Sequence, residues 1–568
     1  MAAGSTKLST VVLPMLRADH VRFVLADGVL GALDLAASLR GLGRYLMPQL
    51  VVTGLAVPIA PLLPGNPELA NGLYRNRFVL AGAEVSAGTG SIFDATAPSA
   101  AWACELHGFT WLSHLAAGGL EMHRAFARTL VSEWAARRHP RIARGLHVRT
   151  CRLKSAVVSA PFLLAGAGQS FRTQFFRMTG EDAASLSAAS PRPEERLDAA
   201  IALAYAAFSL EGLESLRAGA FERLEAALSA EILPDGGHVS RNPARLLDIL
   251  LDLMPLRLAL AAAHELLPRA FNGAIERMLP MLRFFAHGDD GLAAFQGVSG
   301  PMTRELRAVL ASDSVLGRPL SHAPHSGYAR LAEASALVIA DIGNDAMCVS
   351  PLAFEFSDGA SRIIVNCGLP AAPGKWFAVA SQQAAHSTAT PIAAEPAASA
   401  SSLGEWLNQE PRMPNPRAAG RVGQSEHGLL LRAIDHAFGG RPGDVHERDI
   451  FLSAGGNDLR GEDRFMRDSA IDERAAALRF HLHPAVKATL SQDGMSVMLI
   501  LANKKGWRFS AKGGELSLEE SVYLMGSGSP RNSQQIVIRG RGQINWAVKR
   551  IAKRKPAKDE TEAPELPL

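Results

Sequence analysis

The sequence is poor in several features that would place it quickly. Its 568 residues include only four cysteines, Cys104, Cys151, Cys348 and Cys367, widely spaced and without a CxxC pair. That excludes a cysteine-based zinc module and a dense disulfide framework. The thiols are expected to be free and buried, with a Cys348–Cys367 bridge left open for an exported chain. Tyrosine is scarce as well, with Tyr45, Tyr74, Tyr205, Tyr328 and Tyr523 the full set. No uninterrupted apolar run reaches the length of a membrane span. The best stretch, Leu46 to Leu63, is broken by Pro48, Gln49, Pro58 and Pro61, whereas a membrane span needs about 20 largely apolar residues. An integral membrane protein is therefore not expected. The start of the chain makes a poor export signal, because the run from Val11 to Leu16 after Lys7 is cut by Arg17. Charge of one sign is lacking too. The net value is +4 from 59 basic and 55 acidic residues, which gives no argument for a nucleic-acid partner. No fixed-period repeat is visible, which disfavours the named solenoid families.

The length implies at least two domains. Residues 1 to about 100 form a leader rich in Pro and Gly, with a turn at Gly65-Asn66-Pro67 and a short strand at Phe78-Val79-Leu80. From Trp102 to Arg138 the pattern turns helical, with Leu106, Phe109, Leu112 and Leu115 at three-residue spacing, and Pro140 ends it. Helical character continues over 144–300. Leu197–Leu228, preceded by Ser190-Pro191-Arg192-Pro193, and Ala244–Leu267 are its amphipathic runs. Helices joined by short turns, without alternating strands, predict a bundle, toroid or solenoid. Near Ser326 the apolar residues regroup into short β-type runs. These are Ala336–Ala340, Ala353–Phe356, Arg362–Val365, Asp449–Leu452, Leu478–His483, Val486–Leu490, Ser496–Leu501 and Gln535–Ile538. Turn signals at Ser357-Asp358-Gly359 and Gln492-Asp493-Gly494 join pairs of them. An antiparallel sandwich follows. Residues 391–425 read as an irregular loop and the tail from Lys549 as frayed.

Five places concentrate polar groups suited to chemistry. Asp235 to Pro243, DGGHVSRNP, carries His238, Ser240 and Arg241 into a helix start made by Asn242 and Pro243. A loop that brings an imidazole and a guanidinium to a helix N-terminus suits an anion, although a polar connector would look the same. FFAHGDDGLAAFQG, Phe284 to Gly297, holds His287, Asp289, Asp290 and Gln296 and reads equally as a helix cap followed by an Asp-Gly turn. Ser326-Gly327-Tyr328 lies at the proposed domain junction, a favoured location for ligands. His386 follows Ala384-Ala385. In Leu478–His483, alternation puts Arg479, His481 and His483 on one strand face and Leu478, Phe480 and Leu482 on the other. His446 and Arg448 share a face by the same rule, and Glu405 or Asp463 could add an oxygen to a histidine metal set.

Taken in order, these motifs resemble the heparinase II/III-like family of polysaccharide lyases. The resemblance rests on PGNPELANGLYRNRFVLAG, LHGFTWLSHL, DGGHVSRNP and HGDDGLAAFQG in the first half. In the second half it rests on SGYARL, FEFSDGASRIIVNCG, AAHSTATP, HERDIFLS, LRGEDRF and RFHLHPAVKATLSQDG. The resemblance implies an α+β multidomain fold, an N-terminal (α/α) toroid followed by a C-terminal antiparallel β-sandwich. The expected domains are a leader over 1–100 packing on the toroid, the toroid over 101–325, the sandwich over 326–545 and a disordered tail over 546–568. It implies an acidic polysaccharide as partner, cleaved by β-elimination at a uronic acid, and a location in the periplasm or cell envelope. The missing export signal keeps the cytoplasm open.

Residue by residue, His238 matches the toroid position that meets the uronate carboxylate, and His386 matches the sandwich histidine used as a base or beside a bound metal. His446 and one of His481 or His483 are weaker matches to the second-domain site. One divalent metal, zinc or calcium, is therefore expected near His386, His446, His481 and His483, with Glu405 as the nearest carboxylate. Arg241, Asn242, His287, Asp289, Gln296 and Arg448 are expected to bind substrate. The family's toroid tyrosine is missing from HGDDGLAAFQG, which leaves Tyr328, His287 or His386 as the proton carrier. Three functions follow from different classes. They are a uronate lyase, a glycan-binding or scaffolding protein that has lost the chemistry, and a glycoside hydrolase using Asp235, Asp289 or Asp290.

Overall fold

The computed structural model describes residues 50–551, except 313–318, 344–347, 349, 371–374, 393–417, 437, 439–442, 468–469, 472–474 and 527–529. The chain divides into Met1–Val51 and Val52–Leu568, and the second unit is the one described. The Val11–Leu16 run and Glu405 lie outside the described residues, as does most of the loop expected over 391–425.

The first half is helical. After Pro67–Tyr74 come Ala100–His107, Leu112–Gly118, Glu121–Ala135, Leu146–Leu164, Gln169–Ala188, Pro193–Ser209, Glu214–Glu231, Pro243–Ala262, Arg269–Phe285 and Thr303–Ala311. The expected Gly65-Asn66-Pro67 turn is instead a helix start, since the Asn66 side chain accepts from the Glu68 N–H and Pro67 takes the first position. The single run expected from Trp102 to Arg138 is three helices. Phe109 and Gly119 adopt positive φ, at 59° and 67°, and each ends a helix. Leu197–Leu228 is likewise cut at Gly212, φ 89°.

From Glu121 onward most of the long helices touch both the next helix and the next but one. Leu146–Leu164 meets both Gln169–Ala188 and Pro193–Ser209, and Glu214–Glu231 meets both Pro193–Ser209 and Arg269–Phe285. Alternating inner and outer helices give that pattern. Burial assigns the layers: Pro193–Ser209 is buried along most of its length, whereas Glu214–Glu231 buries only Ala220, Leu224, Ala227 and Leu228. This is an (α/α) double ring.

The second half is antiparallel β. The order across the sheet is 418–425, 428–435, 444–453, 458–467, 531–550, 475–482, 361–365, 354–358, 336–341, 328–333 and 322–323. Tyr328–Glu333 lies near one end of this path yet also contacts Ala418–Ser425, Gly428–Asp435 and Asp444–Ser453 at the other. The sheet therefore doubles back on itself as a sandwich. Between its layers Phe354 stacks on Trp546, with Phe480 edge-on to both and Phe509 against Phe480. Burying each such ring stabilises the fold by about 1.5–3 kcal/mol. Asp444–Ser453 alternates buried and half-buried residues along its whole length, as a two-residue period requires. The irregular loop expected over 391–425 gives way at Ala418–Ser425 to a regular edge strand, and the strand Arg531–Arg550 runs through Lys549.

Candidate functional site at the seam of helices and sheet

The glycine turn before Pro243–Ala262 is built as its composition suggests. Gly236 sits at φ 87°, and a Cβ there would lie 2.0 Å from the Arg277 carbonyl oxygen. Asp235 does not face a groove. One of its oxygens accepts from the His325 and Ser326 N–H groups at 2.9 and 2.7 Å, which fixes the chain as it enters the sheet. His238 is buried. Its Nε2–H donates to Glu231 at 3.1 Å and its Nδ1 accepts from the Ser240 hydroxyl and N–H at 2.7 and 3.0 Å. Asn242 is used as the helix cap, accepting from the Ala244 N–H.

Arg241 holds positive φ, 60°, which aims its side chain at the sheet. The guanidinium donates to the Ser326 and Gly327 carbonyls and to Asp341, and it lies over the Tyr328 ring. Tyr328 is wholly buried, and its hydroxyl donates to the Arg241 carbonyl at 2.7 Å. Burial pushes the phenol well above its ordinary range. Asp341, itself fully buried, also accepts from Gln296 at 3.0 Å and from Ser350 at 2.9 Å.

The same economy governs FFAHGDDGLAAFQG. His287 donates from Nε2 to Glu355 at 3.0 Å and accepts at Nδ1 from Ser357 at 2.9 Å. Burial, and then Arg362, lower the imidazole's pKa against the pull of Glu355. Burial alone would raise Glu355, but His287, Arg362 and the Asn366 N–H outweigh it. Asp289 pairs with Arg362 at 2.9 Å, and Asp290 is a surface partner of Arg307. The three carboxylates available to a hydrolase reading are thus engaged in turns and ion pairs.

In the sandwich, His386 is buried and donates from Nδ1 to the Gln382 carbonyl at 3.0 Å. Burial lowers its pKa, against the opposing fields of Asp341 and Glu355. His481 donates from Nε2 to the Ala384 carbonyl and accepts from Ser521, and burial pushes it down to about 3. His483 lies past the strand end, edge-on to Tyr523, and burial followed by Arg362 pushes it to about 4. His446 and Arg448 do share a face, and both donate to one oxygen of Asp463 at 2.6 Å while Trp546 donates to the other at 2.8 Å. Burial would raise Asp463, yet Arg448 and His446 hold it at about 2. Arg448 continues to the Leu352 and Ser387 carbonyls.

The histidines expected to share a metal are therefore dispersed among separate partners. Among the described residues no three His, Cys, Asp or Glu side chains converge as a metal ion would need. None of the four cysteines forms a disulfide, and Cys348 and Cys367 are buried. Among the described residues no helix is long and apolar enough to cross a membrane.

What the structure does bring together is a buried seam. Arg241, Gln296 and His287 from the helical side meet Asp341 and Glu355 from the sheet. Asn366 and Ser387 extend it, since Asn366 donates to Glu355 and accepts from the Ser387 N–H. Sequence reasoning missed Asp341, Glu355, Asn366, Ser387 and Glu231. A signal was present for two of them. Asp341 closes the otherwise apolar strand ALVIAD, and Glu355 stands between Phe354 and Phe356. A carboxylate within a fully buried strand needs a cationic or N–H partner.

Residues 316–559 match the model of the "Heparinase II/III-like, C-terminal" family. The chain is 31% identical over 490 residues to "FtsZ-localized protein C" of Caulobacter vibrioides strain NA1000 / CB15N, covering 80% of this chain and 83% of that one. The chain belongs to the heparinase II/III-like family. Its fold is the toroid plus β-sandwich of heparinase III, to which it is similar with a TM-score of 0.69 over 91% of this chain and 90% of that one, at 14% identity. Heparan sulfate lyase HepC from Pedobacter heparinus is similar with a TM-score of 0.59 over 86% and 83%, also at 14% identity.

Proposed function

We propose that this chain uses the lyase fold as a recognition scaffold without elimination chemistry, and that it assembles with FtsZ or with proteins gathered there. One observation carries the reading. The polar groups that elimination would employ are engaged inside the protein. β-Elimination needs a base that reaches the C5 proton of a uronate. The electron pair then forms the C4–C5 double bond, the C4–O bond breaks, and an acid protonates the departing oxygen. Tyr328 donates its hydroxyl in a hydrogen bond to a backbone carbonyl and is sealed, Arg241 is committed to Asp341 and two carbonyls, and His238 is held by Glu231 and Ser240. The name of the Caulobacter relative supports the partner.

Two assays on the purified chain test this. Absorbance of unsaturated product is followed with heparan-type, alginate and other acidic glycans, and co-sedimentation is measured with FtsZ filaments. The expected result is no product and retention with filaments. Product that disappears in His238→Ala would overturn the reading.

A second reading is an acidic-glycan lyase, favoured by the two retained imidazoles and the whole-chain likeness of fold. There the neutral His386 would take the C5 proton from its Nε2 side, with His238 against the carboxylate. It requires the seam to open when substrate binds. Glycan-dependent exposure of Tyr328 or His386 to solvent exchange would favour it over the first.

A further inference from the structure

Between Glu133 and Glu181 the chain has no acidic residue and nine basic ones: Arg137, Arg138, Arg141, Arg144, Arg149, Arg152, Lys154, Arg172 and Arg177. This imbalance stands out in a protein whose charges otherwise almost cancel. The fold gathers part of it into one cavity of about 80 Å³ in the helical half, away from the seam. Arg144, Arg149, Arg152 and Arg177 line it, with Glu181 and Asp182 as its acidic members. Four guanidiniums against two carboxylates leave a surplus of two positive charges.

The wall is rigid. The Trp134 indole stacks on His139 with ring centres 3.7 Å apart and planes 17° from parallel. The Arg152 guanidinium lies 4.4 Å from the indole centre and is locked by a two-pronged pair with Asp182, 2.7 Å on each prong. Arg149 reaches Asp182 at 3.3 Å. Asp182 is thus shared by two arginines. Arg177 and Glu181 form a loose surface pair at 3.6 Å, each side chain more than 60% exposed, and Arg144 is exposed at the rim. Burial, followed by the field of Arg152, lowers the His139 pKa, with Arg149 and Arg144 adding to it. Asp182 opposes this shift.

We infer that this cavity binds the phosphate monoester group of a small soluble molecule, its two negative charges meeting Arg144 and Arg177 beside the Trp134–His139 wall. Arginine suits the task, because its planar fork gives paired hydrogen bonds to phosphate oxygens. The cavity's volume admits one such group and no sugar chain, which separates it from any glycan cleft.

The test uses the full chain and phenyl phosphate, followed by calorimetric titration at constant ionic strength. Inorganic phosphate serves as competitor, phenyl sulfate as the singly charged control, and vesicles containing phosphatidic acid as the lipid source. Arg144 and Arg177 are exposed, so Arg144→Ala/Arg177→Ala should fold normally, which an unchanged melting temperature verifies. The expected result is saturable phenyl phosphate binding, displaced by inorganic phosphate, at least tenfold weaker for phenyl sulfate and at least tenfold weaker in the double variant. The inference is overturned by no saturable binding, by equal binding in the double variant, or by vesicle binding without any response to phenyl phosphate.

Discussion

Replacing Asp341 with alanine should loosen the junction of the two halves more than any other single carboxylate change. The side chain is fully buried and accepts from Arg241, from Gln296 at 3.0 Å, from Ser350 at 2.9 Å and from the Gly343 N–H at 3.1 Å. Truncation takes the Asp341 carboxylate away from the Arg241 charge, whose side chain is 9% exposed. Removing one partner of a buried ion pair costs about 3–5 kcal/mol. Water entering the space vacated by the carboxylate would put the loss toward the lower figure. Arg241→Ala should lose a similar amount, because it strands Asp341 with neutral donors only. The double variant should fall well short of the sum, with a coupling of roughly 2–3 kcal/mol. Arg241 belongs to the helical half and Asp341 to the sheet, so this coupling measures how firmly the two are joined. Urea unfolding, followed by near-ultraviolet circular dichroism and by fluorescence on all four forms, supplies the numbers. Single losses below about 1 kcal/mol, or strict additivity within about 0.5 kcal/mol, would refute the argument.

Acid should destabilise the protein well above the carboxylate range. His107, His287, His386, His446, His481 and His483 all have folded-state pKa values lowered chiefly by burial. Below about pH 6.5 the unfolded chain binds protons the folded one refuses, so stability falls with pH at up to roughly 8 kcal/mol per unit. Asp248, raised by burial to about 6, opposes this by one proton. A urea midpoint that does not move between pH 7.5 and 5.5 would contradict the prediction. Tyr328→Phe leaves the Arg241 carbonyl without its donor and should lose about 1–2 kcal/mol, read from the same urea curves. Glycan turnover that vanishes with unchanged stability would instead mark the phenol as catalytic. Gly236→Ala combines the left-handed backbone with a 2.0 Å clash on the Arg277 carbonyl and should lower the melting point by an amount equivalent to at least about 1–2 kcal/mol.

Local signals carried far in this chain. Asn242-Pro243 is a helix start, Gly359 and Gly494 turn hairpins at positive φ, and alternation correctly put Leu478, Phe480 and Leu482 in the core. Local signals failed where a single residue's backbone decides, as at Phe109, where an apolar side chain in helical register masks a break. The fate of the polar motif residues was not legible for a different reason. Arg241 meets Asp341 across 100 positions, His287 meets Glu355 across 68, and Asp289 meets Arg362 across 73. A stretch of nine residues shows which groups it offers and never which distant group will use them. The His446–Arg448 face was visible from the strand period, but its use as a cage for Asp463 depended on Trp546 arriving from the far end of the chain.

The placement of the family motifs bears on how such proteins can change over time. Four polar residues of the helical half's motifs, Arg241, His287, Asp289 and Gln296, serve as the bolts between ring and sandwich. A descendant that abandoned catalysis could not discard them without coming apart. Its sequence would go on advertising an enzyme long after the reaction had stopped, and only the direction in which each side chain faces would tell the two conditions apart.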